Sequence, residues 1–163
     1  MVPAGELDLG AAEAWVRTLV TPTGPIDLVR VRPWASVAMV STAAGLAWFK
    51  ACRPAQAFEP RLTAELSRRW PDRVIRVLGH DPDRVWLLTA DAGASIGSLG
   101  NPPALWEQIL PRYAELQRGE RASADDHVQH GVPDLRLAAL PAGYARMLSR
   151  DLPLEPGEID ALR

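Results

Sequence analysis

Three apolar runs near the start of the chain lie too close together to be anything but antiparallel neighbours. IDLVRVR (26–32), SVAMVST (36–42) and LAWFKAC (46–52) read as strands, and only PWA and AAG separate them. Parallel neighbours need a crossover of a dozen or more residues, whereas antiparallel ones need only a turn. The spacing therefore predicts a three-strand meander.

The elements around the meander follow from periodicity and punctuation. GAAEAWVRTLV (10–20) has helical spacing and TPTGP after it is a loop. After the third strand, Phe58, Leu62 and Leu66 recur at four-residue steps, which predicts a helix from about Ala57 to Trp70. Pro60 fits that helix only in its first turn, and Pro71 ends it. VIRVLGH (74–80) and RVWLLTA (84–90), joined by DPD, are a fourth and a fifth strand, the last apolar enough to be central. At residue 91 the character changes. DAGASIGSLGNPP (91–103) is rich in glycine and proline. Beyond it only helical patterns occur: ALWEQILPRYAELQ (104–117), DLRLAAL (134–140), PAGYARMLS (141–149) and PGEIDALR (156–163). The predicted fold class is α+β: a five-stranded antiparallel sheet with one packed helix, followed by an all-helical segment. The predicted domains are 1–90, a hinge over 91–103, and 104–163.

Composition narrows the functional classes. A chain of 163 residues, 47% hydrophobic and 23% charged, has ordinary globular composition. A net charge of −2, with positive charge spread along the chain, argues against a nucleic-acid partner. No run approaches the roughly 20 apolar residues of a membrane span, and MVPAGELDLG lacks the basic and apolar regions of a signal peptide. One cysteine, Cys52, excludes an intrachain disulfide and a multi-cysteine metal site. These features predict a soluble cytoplasmic protein.

Among the 18 basic residues only Lys50 is a lysine; the rest are arginine. An ammonium is a compact point charge that a guanidinium does not copy in a tight site. Period-2 alternation puts Lys50 on one face with Leu46 and Trp48. A charge among bulky apolar side chains needs a partner or a cleft. Two readings stand: an edge-strand lysine that deters pairing with other chains, or a cleft lysine that meets an anion. In kinases a third-strand lysine holds the nucleotide phosphates and pairs with a helix glutamate. The following helix offers Glu59 and Glu65. Glu65 has Arg61 and Arg69 four residues away on either side and reads as a surface pair. Glu59, in the first turn and favoured there by the helix dipole, is the expected partner of Lys50.

The run from Thr21 to Gln117 resembles aminoglycoside phosphotransferase-like proteins. The matching pieces are TGPIDLVRVRPWASVAMVST, AGLAWFKA, AFEPRLTAELSRRWP, VIRVLGHDPDRVWLLTADAG and LWEQILPRYAELQ, with GVPDLRLAALP similar to the start of their helical lobe. The resemblance implies a kinase-like amino-terminal lobe that binds ATP or GTP with magnesium and transfers phosphate to a small-molecule hydroxyl. It implies that Lys50 holds the phosphates and Glu59 orients it. Arg32–Ser36 would form the loop over the nucleotide, with Trp34 and Ser36 replacing a glycine-rich run. Trp34 on its own reads rather as a core anchor, since aromatic residues bury a large area. Thr89, Ala90 and Asp91 would belong to the hinge whose backbone meets the adenine.

The family's catalytic loop, HGDxxxxN followed by a metal-binding aspartate, has no counterpart here. Asn101 is the only asparagine, and neither HVQHG (127–131) nor Asp134, Asp151 or Asp160 carries the pattern. The catalytic aspartate and magnesium ligands are thus expected outside this sequence, and the chain alone is expected to be inactive. An alternative is a nucleotide-binding or interaction module without catalysis. Apolar residues in the helical tail predict association, homo-oligomers included. His127 and His130, three apart, could share a helix face as metal ligands; no third ligand lies near them in sequence.

Overall fold

The computed structural model describes residues 7–149. The predicted helix over 156–163, with Asp151 and Asp160, lies outside the described residues. The chain opens with α1 (Leu9–Arg17), capped by the Asp8 carboxylate, which accepts from the Ala11 amide at 2.9 Å. The meander follows: β1 (Asp27–Arg32), β2 (Ala35–Thr42) and β3 (Gly45–Cys52). Two-residue turns join them, and every pairing is antiparallel. Next come α2 (Glu59–Arg69), β4 (Val77–Asp81) and β5 (Trp86–Ala90). The sheet order is β1-β2-β3-β5-β4. The α+β architecture with a five-stranded antiparallel sheet is therefore the observed one.

Differences in the elements have local causes. β4 begins at Val77 rather than Val74 because the turn after α2 continues. The Arg73 and Val74 amides donate to the Trp70 carbonyl at 3.0 and 2.9 Å. The stretch 134–140 is not a helix. The Asp134 carboxylate accepts from the Arg136 amide at 3.1 Å and grips its guanidinium at 2.7 Å, which fixes a turn. A helix, α5 (Leu140–Leu148), starts only where Pro141 can occupy its first turn. α3 (Pro103–Gly119) matches its apolar periodicity, whereas the short α4 (Ala124–Gln129) lies in polar sequence that carries no such stripe.

The two sheet faces differ. One packs under α1: Ala12 and Val16 of the helix meet Ala38, Val40, Ala47, Phe49, Ala51, Trp86 and Leu88. Trp15, Phe49 and Trp86 form an edge-on triangle with ring centroids 5.5–6.0 Å apart. The opposite face is shared between α2 and solvent. α2 packs on β4, and the Ser67 hydroxyl accepts from the Val77 amide at 3.1 Å.

The first compact unit ends at Val132 and the second begins at Pro133. Within the first, the ends of α2 and α3 meet at the Glu120 carboxylate. It accepts from the Trp70 indole at 2.5 Å and the Arg69 guanidinium at 2.7 Å, and lies 2.8 Å from His127 Nε2. Gly119 is required there. A Cβ on it would lie 2.3 Å from the rigid Trp70 ring. Gly119→Ala should therefore destabilise the unit by about 1–3 kcal/mol, read as a lower urea midpoint; an unchanged midpoint would show that the ring does not seat there. The described part of the second unit carries α5 and exposes Leu135, Leu137, Leu140, Tyr144 and Met147.

Candidate functional site

β3 lies between β2 and β5, so Lys50 sits on the central strand, directly opposite Val37 on one side and Leu87 on the other. This rules out the edge-strand reading. The ammonium instead reaches α2 and donates to both Glu59 oxygens, at 2.5 and 2.6 Å, with each side chain about 25% exposed. The chain makes this possible in two steps. A single turn at Pro54–Gln56 brings it back over the sheet after β3. α2 then starts with Glu59 in its first turn and the buried Pro60 behind it, where neither the charge nor the missing N–H is costly. Glu65 is not a rival: it bonds Arg61 at 3.1 Å and lies 3.9 Å from Arg69.

Cys52, on the same face as Lys50, borders the pair. Burial, reinforced by the Glu59 charge, pushes its thiol from an ordinary 9.0 to about 12. The thiolate is the reactive form. Iodoacetamide labelling at pH 8 should thus be about 1,000-fold slower in the folded protein than in urea, from the drop in thiolate fraction alone. Equal rates would show the thiol to be open to solvent. The sign for stability follows from the raised value: the Cys52 contribution is complete below pH 9.0 and is lost as pH rises through about 12.

Beside Lys50 stands a flat wall. The Trp48 indole donates to Asp91 Oδ1 at 2.7 Å, and Asp91 Oδ2 accepts from the Gly93 amide at 3.2 Å. Thr89, buried, is directly opposite Trp48 and completes this part of the face. Val37 and Met39, half-buried on β2, continue the apolar floor.

The remaining predicted residues are placed differently. Ser36 is opposite Ala51 on the α1 face and buried, so it points away from Lys50 and is not brought to the site. Alternation along β2 forces this, since Val37 takes the Lys50 side. Trp34 is 48% exposed in the Pro33–Trp34 turn, which rules out the core-anchor reading. Ala90 lies on the α1 side opposite Ala47. Its amide donates to the Arg76 carbonyl at 2.9 Å, and that of Asp91 to the Leu46 carbonyl at 3.2 Å. Both amides are thus already paired with backbone carbonyls. Met39 was not among the residues singled out from the sequence. Its signal is visible only once the register puts it beside Trp48.

His127 and His130 turn to different carboxylates, Glu120 at 2.8 Å and Glu65 at 3.7 Å. Among the described residues no group of three or more His, Cys, Asp or Glu could hold a metal ion, and no helix is long and apolar enough to cross a membrane. No family model, no curated protein and no solved structure matches the chain.

Proposed function

We propose that this chain carries the nucleotide-binding part of an ATP- or GTP-dependent phosphotransferase acting on a hydroxyl of a small molecule. The observation that carries the reading is the Lys50–Glu59 pair on the central strand. A lysine on the third strand, oriented by a glutamate of the next helix, is the arrangement with which kinases hold nucleotide phosphates. The pairing helps to immobilise the ammonium, while part of it stays open to solvent on the uncovered side of the sheet. The apolar floor of Val37, Met39 and Trp48 offers a surface for an aromatic base. ATP or GTP would be the donor and the cytoplasm the compartment.

Transfer also needs a catalytic carboxylate and metal ligands. The family's HGDxxxxN loop has no counterpart in this sequence, so the proposed role of this chain is binding, with the transfer groups supplied from elsewhere. Calorimetry should show ATP and GTP binding in the range of about 1 μM to 1 mM usual for enzyme substrates. No heat with either nucleotide, with or without magnesium, would overturn the proposal.

A further inference from the structure

Nucleotide phosphates carry several negative charges, and Lys50 is already paired with Glu59. A glycine-rich loop would add backbone N–H donors. Here the corresponding turn is Pro33–Trp34, and proline has no N–H to give. The charge must be met by something else if the face holds phosphate.

The strand register supplies it. Arg30 is directly opposite Val37, which is directly opposite Lys50; Arg32 is opposite Ala35, which is opposite Cys52. Directly opposed residues share a face, so both arginines stand on the Lys50 side of the sheet. Simple alternation would have put Leu28 there with them. A bulge between Leu28 and Arg30 prevents this. The extra residue lets Leu28 join Ala38 on the α1 face while the arginines face the other way. Bulges of this kind re-aim side chains next to functional sites.

Arg30 and Arg32 are exposed, and neither guanidinium has a partner among the described residues. Edge protection alone would be served by charges on either face. Instead all three cations of β1 and β3 share one face. Strands lie about 4.8 Å apart, so Arg30 and Lys50 flank Val37 across roughly 10 Å of backbone, a gap that a chain of phosphates spans and a single ion does not. Val37, between them, leaves the floor there low. Asp27, on this face too, is opposite Met39, in the Trp48 row rather than the Lys50 row.

Resting on the nucleotide reading, we infer that Arg30 and Arg32 grip the terminal phosphates of a bound nucleoside triphosphate from the β1 side, opposite Lys50, in place of a glycine-rich loop. The site is thereby selective for triphosphate over the bare nucleoside.

The test is calorimetry of ATP, adenosine and inorganic tripolyphosphate with the full chain and with Arg30→Gln, Arg32→Gln and the double variant. Each single change should weaken ATP and tripolyphosphate about 10-fold, as expected for a lost charge-assisted bond, and the double change more, with adenosine unaffected. Because the same arginines guard an edge, the double Arg30→Glu, Arg32→Glu variant keeps that edge charged and soluble. It should abolish tripolyphosphate binding. ATP bound normally by the wild type and equally well by the double variants would overturn the arginine assignment and leave the nucleotide reading standing. A wild-type chain that binds no ATP would overturn both.

Discussion

Phe49→Ala should cost the first unit about 3–5 kcal/mol, among the largest losses open to a single truncation in its core. Phe49 is fully buried, on the central strand, and touches both rings that join α1 to the sheet: Trp15 at 6.0 Å and Trp86 at 5.5 Å between centroids. Its removal leaves a hole that small neighbours, Ala38, Ala47 and Ala51, have no volume to fill. Domains are stable by only about 5–15 kcal/mol, so this is a large fraction. Urea unfolding followed by tryptophan fluorescence reads it directly. Leu137→Ala, at a side chain 86% exposed, is the matched control and should move the midpoint little. A Phe49→Ala cost under about 1 kcal/mol would mean that the aromatic triangle is not the centre of the core.

Lys50→Met should reduce ATP affinity about 10- to 100-fold, the value of a charge-assisted bond to phosphate. It should also lower stability, because Glu59 would be left partly buried, beside the Cys52 thiol, without its cation. The two effects separate in a double variant. Lys50→Met with Glu59→Gln removes the orphaned charge and should recover stability without recovering binding. Unchanged ATP affinity in a folded Lys50→Met protein would reject the role of the lysine.

Much of this was legible in the sequence because spacing constrains topology. Three-residue breaks forced the meander, and the proline pair Pro60 and Pro71 bracketed α2. The Lys50–Glu59 pair was legible as well: the lone lysine sits on a predicted strand and the glutamate in a first helical turn. What was not legible depends on register. Ser36 belongs to the loop that the resemblance places over the nucleotide, but alternation along β2 turns it to the α1 face, and only the bulge in β1 fixes which face Arg30 takes. The 134–140 stretch misled for another reason. Its Leu and Ala content favours a helix, yet one aspartate–arginine clasp fixes a turn there instead.

The Asp91 carboxylate holds the Trp48 ring with one oxygen and the Gly93 amide with the other. While both bonds persist, the Trp48 ring and the exit from β5 are tied to one side chain. Removing that one carboxylate would therefore free the indole and the Gly93 amide together.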